Sequence, residues 1–159
     1  GFASQKTRNY IDELKGMIRD PDKVRIHPPI PSIDLVKTIN RFDMGVFLLP
    51  PINFNYENTL PNKLFDFIQA RLGVHFVPTP KMAVILRKFD IGLVAADFNP
   101  QTLAAELNRL SHDDVRRFKT NAANAAKNFN AEKNAVVIQE MVASILTNPA
   151  RGNQKAAVQ

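Results

Sequence analysis

Apolar residues in this chain follow two spacings. Near-continuous apolar runs fall at residues 24–30 (VRIHPPI), 43–49 (DMGVFLL), 74–77 (VHFV) and 90–95 (DIGLVA). Short runs of this kind, bounded by Pro, Gly or Asp, predict strands. The run at 43–49 reads as a strand covered on both faces. Between the runs, apolar residues recur every three or four positions, the period of a helix. Tyr10, Leu14, Met17 and Ile18 predict a helix over 6–19, stopped at Asp20-Pro21-Asp22. Leu35, Val36 and Ile39 predict a second helix, capped by Ser32. Leu60, Leu64, Ile68 and Leu72 predict a helix over 61–72, with Pro61 in its first turn. Thr79-Pro80 and Asn99-Pro100 are start signals for helices over 81–89 and 101–110. Ser111 with Asp114 resembles a capping box that uses Asp in place of Glu. It opens an alanine-rich helical region running to about Leu146, with a break near 128–130. The polar tail from Asn148 is expected to be mobile.

Strands alternating with helices predict βαβ units and an α/β, Rossmann-like parallel sheet of about four strands. One such domain is expected over 1–147, with a tail over 148–159. Sheets of this type usually have more strands, and this chain starts in a helix. The pattern therefore suggests that part of a larger protein precedes Gly1.

Composition narrows the choice of chemistry. The chain has 159 residues, 45% hydrophobic and 23% charged, ordinary for a globular domain. It contains no cysteine, which excludes disulfides and thiolate metal sites. His27, His75 and His112 lie far apart, with no HxxxH spacing, so no metal is expected. The net charge of +6 and pI near 9.8 favour anionic partners. Basic residues such as Arg116, Arg117, Lys119 and Lys127 are spread along the chain, which suits a solvated face or contact with an anionic membrane surface. No nucleic-acid motif accompanies them, so nucleic acid is not an expected partner. No apolar run approaches the roughly 20 residues of a membrane span, and no signal peptide is visible. These features point to a cytoplasmic protein with, at most, peripheral membrane contact.

Candidate chemistry concentrates at residues 53–73, NFNYENTLPNKLFDFIQARLG. A strand, a polar loop and a helix N-terminus follow one another there. Helix N-termini offer unpaired N–H groups and the positive end of a dipole, which suit a phosphate. Lys63 adds charge in the first turn, and Asp66 lies three residues on, where a carboxylate can accept from ribose hydroxyls. The simpler reading of those two residues is an exposed i,i+3 ion pair of little energetic worth. His27, in a buried-looking strand, reads as a core histidine. Met82 and Phe89, spaced with Ile85 and Leu86, read as core.

The segment TLPNKLFDFIQARLGVHFVPTPKMA resembles the donor-binding half of GT-B fold glycosyltransferases of the group 1 type. Leu60, Pro61, Asn62 and Lys63 match an LPNK pattern, and Leu64-Phe65-Asp66-Phe67 continues it. The resemblance covers residues 10–146. It implies half of a GT-B fold whose donor is a UDP- or GDP-sugar, with no further cofactor. The backbone of Thr59, Leu60, Pro61 and Asn62 would meet the sugar and diphosphate, and Asp66 the ribose. The donor-sugar contact would fall at Asn58, with Glu57 beside it, where the family has Glu. A base-binding loop is implied around Pro29 and Ile30. The turn Arg71-Leu72-Gly73 departs from the family's Gly-x-Pro. The family's glycine-rich diphosphate loop and its acceptor domain would lie upstream, so the resemblance assigns no catalytic residue. The remaining alternatives are a non-catalytic flavodoxin-like interaction module and a sugar-nucleotide epimerase. The epimerase would need paired carboxylates and histidines that are scarce here.

Overall fold

The computed structural model describes residues 5–147, except the side chains of residues 5, 6, 57, 131, 132, 134 and 147. The predicted tail falls outside the described residues. Two compact units emerge, Gly1–Pro31 and Ser32–Gln159.

In the first unit, α1 (Gln5–Gly16) realises the first predicted helix. The chain then turns at Asp20, whose carboxylate accepts the N–H groups of Asp22 and Lys23. The predicted strand at 24–30 does not form, and the segment is irregular. Pro28, Pro29 and Pro31 have no N–H to give to a ladder, which removes donors from the carboxyl half of the segment. His27 is accordingly exposed and is not the core histidine expected.

The second unit holds α2 (Ser32–Ile39), β1 (Met44–Phe47), α3 (Phe54–Glu57), α4 (Asn62–Gln69), β2 (Gly73–Phe76), α5 (Pro80–Phe89), β3 (Gly92–Val94), α6 (Pro100–Asn108), α7 (His112–Ala126) and α8 (Ala131–Thr147). The sheet has three strands where four were expected. All are parallel, in the order β1-β2-β3. The Rossmann-like α/β reading holds at that coarser level. The predicted break in the terminal helical region falls where expected, between Ala126 and Ala131.

β2 is buried at every position, because it is the central strand and both its faces are covered. Val74 and Phe76 pack with Leu64 and Ile68 of α4, Met82 and Leu86 of α5, and Ala122 and Ala125 of α7. With right-handed crossovers and a strand order that never reverses, α4 and α5 must share one face, as they do. On the opposite face His75 meets Glu106 of α6. β1 was expected to be covered on both faces. It lies instead at the sheet edge, and Val46 is 41% exposed.

Polar side chains tie the helices to the chain ends around this sheet. Lys119 of α7 donates to the Phe42 carbonyl and to the Asp43 carboxylate, each at 2.9 Å, just before β1. Asn121 donates to the Asp90 carbonyl at 2.8 Å, just before β3. Gln69 of α4 donates to the carbonyls of Ala126 and Phe129. α7 is thereby strapped across the amino ends of the strands. The Ser111–Asp114 capping box that starts it forms as predicted, and the Ser111 hydrogen bonds hold the Asp114 carboxyl below its ordinary pKa.

The turns from α4 into β2 and from α5 into β3 each use a left-handed residue that is not glycine. Arg71 has φ 59° and Asp90 has φ 46°. At Arg71 the N–H of Leu72 reaches back to Phe67 and that of Arg71 to Ile68, the bond pattern in which glycine usually holds the left-handed position. Arg71→Gly removes that steric cost, partly offset by added freedom of the unfolded chain. It should stabilise by about 0.5–1 kcal/mol in urea denaturation. Gly92→Ala should do the opposite. An added Cβ would stand 1.8 Å from the Val74 carbonyl oxygen, a backbone atom of the paired strand. We expect a loss of roughly 3 kcal/mol or more, or no folded protein at all.

Candidate functional site

The loop from β1 to α4 is built by local polar chemistry. Pro50 and Pro51 end the strand, and the N–H of Ile52 closes on the Pro50 carbonyl at 2.9 Å. Asn53 caps α3, accepting the N–H of Tyr56 at 2.9 Å. This single turn of helix was not predicted. The Asn58 side-chain amide donates to the Phe54 carbonyl at 3.1 Å, so Asn58 is committed to shaping the loop. Thr59 is half-buried and Leu60 exposed. The Glu57 side chain falls outside the described residues.

α4 starts one residue later than expected, with Pro61 as its N-cap in extended conformation. Proline has no side-chain acceptor, so the N-cap residue makes no capping bond. The Leu64 N–H is taken by the Pro61 carbonyl at 3.0 Å, and among the described residues no acceptor meets the N–H groups of Asn62 and Lys63 at the helix start. α5 is similar. Thr79 stands at its N-cap, as predicted, but its hydroxyl makes no capping bond and is buried without a partner. α6 and α7 differ: Asn99 caps the Gln101 N–H at 2.9 Å, and Ser111 caps α7. Among these four helices, α4 and α5 have N-cap residues whose side chains make no capping bond.

The expected ion pair between Lys63 and Asp66 does not form. The Lys63 ammonium stands over the Phe47 ring, 5.7 Å from its centroid, a cation–π contact at the carboxyl end of β1. Asp66 is half-buried one turn further along α4. The structure therefore gathers Asn58, Thr59, Leu60, Pro61, Asn62, Lys63 and Asp66 on one loop and the helix start that follows it. Pro29 and Ile30 belong to the first unit. Pro29 lines a cavity there of about 550 Å³, with Arg8, Ile11, Lys15, Ile26 and His27.

The strand order also bears on the site. Doubly wound sheets bind ligands where the strand order reverses. The order β1-β2-β3 contains no reversal, and β1 is an edge strand. The loop after β1 is exposed to solvent from Pro51 to Tyr56. Among the described residues no group of three or more His, Cys, Asp or Glu could hold a metal, and no helix is long and apolar enough to cross a membrane.

The sequence reading passed over one constellation. His75, at 0% exposure, stands 2.9 Å through Nε2 from Glu106 Oε2, while Glu106 Oε1 accepts the N–H of Ala96 at 3.1 Å. Because a carboxylate only accepts, Nε2 carries the proton and Nδ1 is a bare acceptor. Nδ1 is buried without a partner. The available signal was a lone polar residue inside the otherwise apolar run Gly73–Phe76. The pair joins β2 to α6 and to the segment after β3. His75 is fully enclosed, while the Glu106 side chain is 22% exposed.

No protein-family model, curated protein or solved structure matches this chain.

Burial is the main influence on His75 and pushes its pKa below the usual 6.5, against the pull of Glu106. The folded state therefore takes up its proton at lower pH than the unfolded state. Stability should rise with pH wherever the unfolded chain holds the extra proton. The contribution is complete above the ordinary histidine value and is lost as pH falls below it. Urea midpoints measured between about pH 5 and about pH 7.5 should show this slope. His75→Gln keeps a donor toward Glu106 without titrating, so it should flatten the slope.

Proposed function

We propose that the second unit is the donor-binding domain of a glycosyltransferase. The reaction would move a sugar from a nucleoside diphosphate sugar to an acceptor hydroxyl. The observation that carries this reading is the amino end of α4. It follows β1 through a solvent-exposed loop, its N-cap residue is a proline with no side-chain acceptor, and its first turn brings Lys63. The LPNK residues that carry the family resemblance are the same residues.

On this reading the diphosphate rests against the N–H groups of Asn62 and Lys63. As the sugar leaves, negative charge grows on the departing phosphate. The helix dipole and the ammonium of Lys63 offset it in place, which is the main work of such a site. Lys63 would leave the Phe47 ring or share it with the phosphate. Asp66, one turn deeper, accepts from the ribose hydroxyls. The loop held by Asn53 and Asn58 sets where the sugar lies. None of these residues serves as the base for the acceptor.

A second reading is a flavodoxin-like module that binds a protein. Ile52 and Phe54 favour it, since both stand more than 70% exposed on the same loop. Calorimetric titration with UDP- and GDP-sugars separates the two. The first reading expects saturable binding, weakened at least about tenfold by Asp66→Ala. Lys63→Ala should weaken it by a factor that shrinks as salt is raised. No saturable binding at millimolar donor, or binding untouched by both substitutions, favours the interaction module.

A further inference from the structure

The turn from α4 into β2 holds a side chain that the fold does not use. Arg71 keeps a left-handed conformation, φ 59°, that glycine would adopt at less steric cost. Among the described residues its guanidinium makes no ion pair and no hydrogen bond. Nor does it cap α4. The carbonyls of Asp66, Phe67, Ile68 and Ala70 are already taken, by the N–H groups of Ala70, Leu72 and Arg71 and by the Asn40 side-chain amide. A strained residue without a structural role points to function. Lys37, in the last turn of α2, is likewise without an ion pair or a side-chain hydrogen bond among the described residues.

We infer that Lys37 and Arg71 form a binding site for a phosphate monoester. Both line a cleft of about 400 Å³ between α2 and the end of α4, with Ile33, Val36, Asn40 and Gln69. The cleft has fixed walls. Asn40 donates to the Ala70 carbonyl at 2.7 Å, which joins the two helices, and Gln69 donates to the carbonyls of Ala126 and Phe129. Those amide donors are engaged, so an anion in the cleft must be held by Lys37 and Arg71. Asp34 lies one turn from Lys37 on α2 but makes no ion pair with it. A phosphate monoester carries close to two negative charges on three terminal oxygens. It therefore suits a planar guanidinium fork together with an ammonium, whereas a carboxylate would offset only one of the two cations. Ile33, 89% exposed, and Val36 offer an apolar wall to the group that bears the phosphate. α4 is eight residues long, roughly 12 Å, so this cleft lies at the far end of the helix from Asn62 and Lys63. It is independent of the reading given for those residues.

Titration of the isotope-labelled full chain with glycerol phosphate, followed by amide NMR shifts, tests the site. Saturable shifts are expected at Asn40, Arg71 and Leu72. They should persist in Lys63→Ala, which removes the charge at the other end of α4. Lys37→Ala and Arg71→Gly should each weaken binding at least about tenfold. Arg71→Gly is expected to stabilise the fold, so its loss of binding cannot come from unfolding. Co-sedimentation with phosphatidylcholine vesicles containing phosphatidic acid identifies the source of the phosphate. Capture that needs phosphatidic acid, and that both substitutions reduce, assigns the site to a lipid headgroup. Saturable binding of glycerol phosphate without such capture assigns it to a soluble ester. No shift at these amides up to about 50 mM glycerol phosphate, with no preference for phosphatidic acid, overturns the proposal. So does binding that either substitution leaves unchanged, or shifts confined to Asn62 and Lys63.

Discussion

The burial of β2 is the constraint on which the second unit depends. Four residues, Gly73–Phe76, are enclosed on both faces and paired on both edges. Val74 and Phe76 set the positions of α4, α5 and α7 on one face, and His75 reaches α6 on the other. Gly73 belongs to the same constraint. A side chain there would meet the Met44 sulfur at 2.4 Å and Phe118 of α7 at 3.1 Å. The strand is short, so its apolar contacts outweigh its few ladder bonds.

The strap formed by α7 has a second effect. Lys119 and Asn121 fasten the amino ends of the strands, and the capping box gives α7 a defined start. At the carboxyl ends the loop after β1 is shaped by its own Asn caps and turns, while the segment after β3 is held by Glu106 of α6. One end of the sheet is thus rigid and the other free to differ in shape, the usual division between scaffold and binding loops in α/β proteins. The amino ends of α4 and α5 fall on the looser side. Side-chain caps there would compete with any anion for the same N–H groups.

Periodicity made most of this fold legible. β2 and β3 were visible because short apolar runs bounded by Gly, Asp or Pro read as strands, whether buried like β2 or half-buried like β3, and the helices because their starts carry Pro, Asn or Ser. The failures have local causes. VRIHPPI has a strand's apolar content, but proline removes the donors a ladder needs. DMGVFLL looks buried on both faces because edge and central strands share a composition, and only pairing tells them apart. α3 was missed because one turn of helix has no period to detect. Arg71 and Asp90 were missed as left-handed turn residues because no glycine marks them. For the candidate site, the residues from Asn58 to Asp66 were legible as one loop and helix start. Their side-chain partners were not: Lys63 prefers an aromatic face to the nearby carboxylate, and spacing cannot rank those two contacts.

The uneven distribution of core also orders how the chain opens. No described side chain of α1 or α8 belongs to the core around β2, so either can fray without disturbing it. Amide protons in those two helices would then exchange with solvent through local openings. Those of Val74 and Phe76 would wait for the whole second unit to come apart.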